Sequence, residues 1–512
     1  KVYKRHTNFG LETIENTVSN NSINFGDELI YTIDKIGSLI HNMHVEFTLP
    51  PAINTDGKSS TGKEFTAHDD NVGVVNNWAD YCGWVNSVGF AILDDVSLLF
   101  NDNLIDKHNS VWFDIWNELT DVNRAEWSLV GKRDDTENNI INNKKSRYYV
   151  PLKFYFNRHP GLSFPVFLLD EGGVKVKIKL NSRKNLLIFN ISDNAQTPPT
   201  FNDIGGNLLD FKFFTNYIFL DTLEQNKISN NLPIEYLIET IDIKENLKEK
   251  DLNIILDNPV KEIIWVIRNI KRITEKSNTD ILSEGTKYNE VNLDVDNENT
   301  NDIFNYSLSK ENLNMGYGTY DTFKTLKLSI SNKDRINTTD ATYFRTMQPY
   351  NHHSNIPGGI NKNNKSKYIY SYSFAINPEE YQPSGSYNFS KSNDSLNITF
   401  NGLGQSEIIN TNNFDDYRLD LFSINYKYLS VNKGSISYQN VPYNSISNSL
   451  KQNPTDITKC RVKSEEVIIE EEKRNTAINE EVRKRYTKYK PEVHTHGVLR
   501  KQKWAGLQGS KK

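Results

Sequence analysis

An all-β architecture of two β-sandwiches in tandem is the fold class this sequence predicts, and three observations predict it. Strand-like segments fall into two consecutive sets of roughly 200 residues, each large enough for a sandwich with long loops. The chain carries 26 Tyr, 25 Phe and 7 Trp, although only 37% of its residues are hydrophobic and its mean hydropathy is -0.63. An aromatic side chain buries roughly 150–250 Å², so cores exist and are separated by polar loops. Asparagine, which favours turns over helix or strand interiors, recurs in runs such as Asn138-Asn139, Asn142-Asn143 and Asn363-Asn364. An AT-rich genome produces the same enrichment, so asparagine speaks to loops and not to function.

Taken in order, Ile23 to Asp34 and His44 to Leu49 alternate as strands do, before a polar stretch from Pro50 to Asp80. Phe90 to Leu98 reads as helix passing into strand. Ser97 to Phe100, the turn Asn101-Asp102-Asn103 and Leu104 to Asp106 read as a hairpin. Ser110 to Leu119 predicts a short helix with Ser110 as its cap and Trp112, Trp116 and Leu119 on one face. Tyr148 to Phe156 is a strand, and Val174 to Leu180 sets Val174, Val176, Ile178 and Leu180 against three lysines, one face buried and the other wet. A dense aromatic strand follows at Phe211 to Leu220, and the polar connector Asp221 to Asn231 marks the boundary between the sets.

The second set comprises Ile234 to Ile243, Val260 to Val266, Phe323 to Ile330, Tyr368 to Ile376, Leu396 to Phe400 and Leu419 to Leu429. Between them, the acidic, Asn-rich span Ser277 to Asp302 reads as a long exposed loop. Tyr370 to Ser390 is the most informative segment. Its aromatic alternation stops at Asn377-Pro378, Pro383-Ser384-Gly385 makes a tight turn, and Tyr387 to Phe389 opens another strand, which reads as an ordered loop joining two sheets. Neither half shows a fixed-period repeat. Beyond about Asn440 the chain turns charged: Glu480–Lys484 and Glu481–Arg485 are favourable helical pairs, and Arg483 to Lys512 is basic. Such a tail is a solvated extension by default; the sharper reading is an anchor for a neighbouring subunit or an anionic inner surface.

Charge and chemistry narrow the function. Sixty basic against 65 acidic residues leave a net charge of -5, which disfavours a protein that coats nucleic acid. Cys82 and Cys460 cannot build a disulfide framework, in keeping with a reducing cytosol. No apolar run approaches the roughly 20 residues that cross a bilayer, and no stretch reads as a secretory h-region. The chain begins at Lys1, so a short upstream segment is expected. His352-His353, taken as strand neighbours, point to opposite faces and cannot share an ion; His494 and His496 could, but lack further ligands. Glu379-Glu380 are adjacent rather than opposed across a cleft, as a glycosidase requires. Phosphate-loop, dinucleotide and nucleophile-elbow motifs are missing. Sequons at Asn337, Asn388 and Asn397 carry little information in so Asn-rich a chain. No catalytic residue, metal site or cofactor is expected. Trp112, Trp116 and Trp265 read as core or interdomain filling, and Lys261-Glu262 as a solvated pair at a strand edge.

Seven segments, in one order, carry a resemblance. Tyr3-Lys4-Arg5-His6-Thr7-Asn8-Phe9 comes first, then Leu104 to His108 with Ile115 to Thr120, and then Val150 to Phe156 with Arg158, Pro160-Gly161-Leu162 and Pro165. Tyr217 to Thr222 and Tyr236 to Glu239 flank the connector. Asn258-Pro259-Val260-Lys261-Glu262-Ile263-Ile264-Trp265-Val266, Gln348 to Pro357 and the NPEEYQPSG string complete the set. Together they resemble the double jelly-roll major capsid proteins of nucleocytoplasmic large double-stranded DNA viruses, with Asn258 where that family usually has His. The resemblance spans roughly residues 3 to 430. It implies two tandem eight-stranded jelly rolls at 1–222 and 233–440 about a connector at 223–232; the charged, partly helical tail at 441–512 has no counterpart in that family and is read from composition alone. It further implies a non-enzymatic homotrimer forming pseudo-hexagonal capsomers in an icosahedral virion shell, made in the host cytoplasm. Its partners would be neighbouring capsomers, minor or cement proteins and a penton protein, without sequence-specific nucleic acid; the basic charge of the tail adds an expected inward position and contact with an internal membrane. The alternatives are a carbohydrate-binding jelly-roll protein or all-β glycosidase and a minor double jelly-roll capsid component.

Overall fold

The computed structural model describes residues 8–18, 22–50, 80–132, 145–191, 207–269, 303–306, 321–357, 367–390, 395–403 and 417–440. The expected loop at Ser277 to Asp302, the tail with His494 and His496, and most of the Tyr3–Phe9 motif lie outside them. The strands of the first half are β1 (Phe9–Asn16), β2 (Glu28–Thr32), β3 (Leu39–Leu49), β4 (Asp80–Trp84), β5 (Leu93–Phe100), β6 (Asn103–Asn109), β7 (Ser146–Pro151), β8 (Val174–Leu180), β9 (Leu187–Ile191) and β10 (Leu209–Leu220). Helices α1 (Val88–Ala91), α2 (Ser110–Thr120), α3 (Trp127–Val130), α4 (Arg183–Leu186) and α5 (Thr222–Asn230) are short. Two four-stranded antiparallel sheets, ordered β1-β10-β3-β7 and β2-β8-β5-β6, form the first sandwich, with β4–β9 as a separate ribbon.

The second half repeats this plan. Its strands are β11 (Ile234–Leu247), β12 (Asp251–Ile255), β13 (Pro259–Asn269), β14 (Phe323–Ile330), β15 (Lys333–Asp340), β16 (Tyr370–Ser373), β17 (Tyr387–Asn388), β18 (Ser395–Leu403), β19 (Tyr417–Asn432) and β20 (Ser435–Asn440). They pair as β11-β19-β13-β16 and β12-β18-β14-β15, with β17 against β13 and β20 against β19. A π-helical turn, Tyr343–Met347, runs into helix α6 (Gln348–His352). The fold is thus all-β, two tandem jelly rolls with short helices.

Local chemistry explains the elements. β8 follows the alternation of its sequence, its four aliphatics buried and Lys175, Lys177 and Lys179 turned outward to Asp102, Glu28 and Asp94. The β5–β6 hairpin turns on Asn101 (φ 47°) and Asp102 (φ 63°), residue types that tolerate the left-handed region. The cap of α2 is Asn109 rather than Ser110: its side chain accepts from Trp112 N–H at 2.9 Å. The predicted strand Tyr148–Phe156 ends at Pro151, and Tyr155–Asn157 curls into a 3₁₀ turn. The predicted strand Ile23–Asp34 narrows to β2, and Tyr368–Ile376 to β16. The connector Asp221–Asn231 is not structureless. Asp221 caps α5 by accepting from Glu224 N–H at 3.0 Å.

The loop after β16 departs from expectation in one further way. It does not join two sheets: β16 pairs with β13 at Glu262–Trp265, and β17 returns to the same strand at Pro259–Val260. The loop is an excursion from one sheet back to itself, so its tip is presented outward while both ends are fixed to β13. Trp265 and Tyr370 are fully buried and stack at 5.9 Å in the second core.

Candidate functional site

The two sandwiches meet along a seam made chiefly of buried polar groups. Trp112 on α2 packs on Phe422 of β19 with ring centroids 5.7 Å apart, and Trp112 and Trp116 stack at 5.4 Å. Both indoles are nearly buried, so the expectation that tryptophans fill interdomain space holds. From β6, Asp106 accepts from the Ile241 N–H of β11 at 2.9 Å, and Asn109 donates to Glu245. These bonds tie the edge of one sandwich to the first strand of the other.

Two clusters of charge lie within this seam. The first is built on α2, where Asp114 and Glu118 stand one turn apart among buried Val111, Trp112, Phe113, Ile115, Trp116 and Leu119. Lys132 reaches Glu118 at 2.6 Å and Asp114 at 3.4 Å. Lys367, from the second half, reaches Asp114 at 2.5 Å and Glu118 at 3.3 Å, while the Tyr306 hydroxyl donates to Asp114 at 2.8 Å. All four charged side chains are almost wholly buried. Burial opposes ionisation of Glu118, but Lys132 and Lys367 outweigh it and hold the carboxyl down at about 2. The same carboxylates raise the Lys132 ammonium against its own burial.

The second cluster surrounds β13, and it corrects the expectation for Lys261-Glu262. Both residues are fully buried, in a central strand rather than at an edge. Lys261 donates to Glu239 and, at 3.0 Å, to the Glu380 carbonyl. Arg158, from the first half, donates to Glu239 and, at 2.7 Å, to the Glu379 carbonyl. Its guanidinium also lies 5.0 Å over the Trp116 ring. Burial drives the Lys261 ammonium down to about 7, with Arg158 adding to the fall.

His352 and His353 are not strand neighbours. His352 closes α6, and its Nδ1 donates to the Ile376 carbonyl at 2.9 Å. His353 follows in extended conformation; its Nε2 lies 2.6 Å from Glu262 and its Nδ1 3.0 Å from Glu379. Between two ionised carboxylates the ring donates from both nitrogens, as an imidazolium. Burial opposes that charge, but Glu262 and Glu379 overcome it and raise the group to about 9. Glu379 also accepts from Ser354 N–H at 2.7 Å and from the Ser354 hydroxyl.

The NPEEYQPSG loop is therefore held from beneath. Arg158, Lys261, His352 and His353 grip Ile376 O, Glu379 and Glu380 O, Ser384 Oγ donates to Asn377 O at 3.0 Å, and His159 stacks on Tyr381 at 4.0 Å. Gly385 permits the return: its φ is +144°, and a Cβ there would lie 2.9 Å from the Phe374 carbonyl oxygen. Gly385→Ala is expected to destabilise the loop by roughly 1–3 kcal/mol and to raise amide hydrogen exchange across Asn377–Gly385. Exchange equal to that of the parent would show that the turn bears no strain.

A cleft of about 480 Å³ opens beside the seam, with His44, Trp116, Glu126, Lys153, Arg158 and Glu379 in its lining. Its carboxylates are engaged: Glu126 with Lys153 and Asn117, and Glu379 with His353 and Ser354. Trp116 is only 8% exposed and offers no sugar-stacking platform. Nothing in this cleft favours glycoside hydrolysis. Sequence reasoning missed Asp114, Glu118, Lys132 and Lys367, although two carboxylates four apart in a helix rich in aromatic and aliphatic residues were a usable signal.

The described residues thus form a double jelly roll whose two sandwiches are joined along a polar seam. Family models agree over nearly all of the described chain: residues 1–221 match "Major capsid protein N-terminus" and residues 224–437 match "Large eukaryotic DNA virus major capsid protein". The chain belongs to the major capsid protein family of large eukaryotic DNA viruses. It is similar to the major capsid protein of Pyramimonas orientalis virus, 26% identical over 86% of this chain and 93% of that relative. The major capsid protein of Paramecium bursaria Chlorella virus 1 is likewise 26% identical with the same coverage. Among solved structures, the quasi-atomic model of the PBCV-1 virus capsid matches with a TM-score of 0.59 and 23% identity, over 86% of this chain and 99% of that one. The Faustovirus major capsid protein matches at 0.59 and 13%, over 84% and 92%. These structural likenesses establish the fold.

Proposed function

We propose that this protein is a major capsid protein that trimerises into pseudo-hexagonal capsomers tiling the icosahedral shell of a large double-stranded DNA virus. The observation that carries the reading is that capsid family models match both halves in order, on a chain whose two sandwiches repeat one strand plan. The seam supports it physically. Two buried charge clusters and a Trp112–Phe422 contact hold the sandwiches as one block, and three two-lobed blocks give six-fold-like shape.

The division that goes with this reading is a first jelly roll at 1–222, a connector at 223–232, a second jelly roll at 233–440 and a tail at 441–512. The protein acts by assembly and performs no chemistry. It resides in the virion shell after synthesis in the host cytoplasm, beside neighbouring capsomers, minor or cement proteins and a penton protein. Its basic tail lines the inner side, where an internal membrane would meet it.

Light scattering on the purified chain tests the core of this. The expected mass is three times the 59.1 kDa chain, with pseudo-hexagonal outlines in negative stain. A chain that stays monomeric at micromolar concentration overturns the reading and returns glycan binding to the front.

A further inference from the structure

The two sandwiches share a strand plan, so every element of the seam has a counterpart elsewhere on the molecule. In the first sandwich, β6 is the edge of its sheet and leads directly into α2; in the second, β15 is the edge of the matching sheet and leads directly into the helical segment ending in α6. The junctions align residue by residue. Asn109 pairs with Asp95 at the base of one hairpin, and Asp340 pairs with Thr325 at the base of the other. Each caps the helical turn beyond it: Asn109 accepts from Trp112 N–H, and Asp340 accepts from Thr342 N–H at 2.8 Å. Four residues beyond each cap stands a fully buried phenylalanine, Phe113 and Phe344.

Burial diverges at the next positions. Seven residues past the cap, Trp116 is 8% exposed in the seam, while Met347 is 46% exposed. Ten past, Leu119 is fully buried and Tyr350 is 70% exposed. The edge strands differ in the same way: Asp106, His108 and Asn109 of β6 are buried, whereas β15 is exposed along most of its length.

The receiving surface also has a twin. In the seam, α2 packs against the outer face of β11 and β19, where Ile243 pairs with Phe422. The matching strands of the first sandwich are β1 and β10, where Leu11 pairs with Ile218 and Phe9 with Leu220. Cross-strand partners share a face, and Phe213, Thr215 and Tyr217 take the core face of β10. Leu11 and Phe9 therefore point outward, at 63% and 57% exposure, on an edge strand.

We propose that the seam is built a second time between copies of this chain, with the Met347–Tyr350 face and β15 of one copy seated on the Phe9–Leu11 face of the next. The occupant is a second copy because the chain already makes this contact within itself, and each half recurs on the opposite sandwich, with Met347, Tyr350, Phe9 and Leu11 exposed and Ile218 covered. A helix-side patch meeting a strand-side patch is a heterologous contact, and such contacts propagate head to tail until a ring closes. This inference rests on the self-assembly reading and names the surfaces that carry it.

Two full-length double variants test it: Met347→Asp with Tyr350→Asp, and Phe9→Asp with Leu11→Asp. All four residues are exposed, and circular dichroism verifies that each variant keeps the parent's fold. Each variant alone is expected to scatter as a monomer. Mixed together, they are expected to form a dimer, because each retains the face the other lacks, and to stop there. Monomers that stay monomers when mixed overturn the helix-on-strand pairing. Variants that remain trimeric overturn the proposed surfaces while leaving the capsomer reading intact, whereas a monomeric parent sinks that reading too. If a variant fails to fold, Leu11→Cys with Met347→Cys in one chain replaces it. A short bismaleimide should then join three chains, and cross-linking no greater than that of the parent overturns the proposal.

Discussion

Lys367→Met is expected to lower stability by roughly 3–5 kcal/mol, the range for stranding one member of a buried ion-pair network. Lys367 is one of two ammonium groups shared between Asp114 and Glu118, and all four side chains are almost wholly out of water. Replacing it leaves two buried carboxylates on α2 facing Lys132 alone. Methionine fills the volume, so the loss is electrostatic rather than a cavity. Adding Glu118→Gln restores the charge balance and should recover part of the loss, and that coupling separates the network from simple packing. The pH dependence has a definite sign. Glu118 is depressed to about 2, so its contribution is present above its unfolded value and is lost only as pH falls through the folded one. The gap between parent and variant should therefore be widest near neutral pH and narrow as pH falls below the unfolded carboxyl value, where the parent loses this contribution and the variant has little of it to lose. Denaturant unfolding at pH 3 to 7 measures this; a variant that tracks the parent across that range would falsify the assignment.

The sequence disclosed the sandwiches more readily than the seam, for a physical reason. A half-buried strand such as β8 advertises itself through period-two alternation, because one face must be apolar and the other wet. The α2 helix was visible from its tryptophans, although its cap lay one residue earlier, where the Asn109 side chain meets an N–H that only the folded turn presents. β13 was legible as a strand, but its charges were misjudged. Lys and Glu are exposed in most proteins, so solvation was the natural reading. Within β13, Ile263–Ile267 is an unbroken apolar run, the mark of a strand covered on both faces. Charges in the same buried strand must find partners. Which partners they find depends on Glu239 and His353, brought beside β13 by the folding of the second sandwich, and on Arg158, which arrives only when the two sandwiches dock. The same holds for Lys367, which nothing in its local sequence marks as buried.

Replacing His353 by leucine should cost roughly 3–5 kcal/mol near neutral pH, because it strands Glu262. That carboxylate is fully buried, and its Oε2 has no hydrogen-bond partner among the described residues, so it depends on the imidazolium. The stronger test is how the cost varies with pH. His353 is raised to about 9 from an ordinary value of 6.5, so its contribution is complete below 6.5 and is lost as pH rises through 9. The window corresponds to about 3 kcal/mol. Absolute stability is a poor readout here, since Lys261, pushed down to about 7 by burial and Arg158, titrates in the same window with the opposite sign. That titration is common to parent and variant. The gap between them should thus be widest at pH 6 and should shrink by most of that amount by pH 10. Hydrogen exchange across Ile376–Gly385 should follow the same course in the parent, because His353 and Glu379 anchor the loop. A gap that does not change with pH would mean that His353 is neutral in the folded protein and that one of its two carboxylates carries the proton instead.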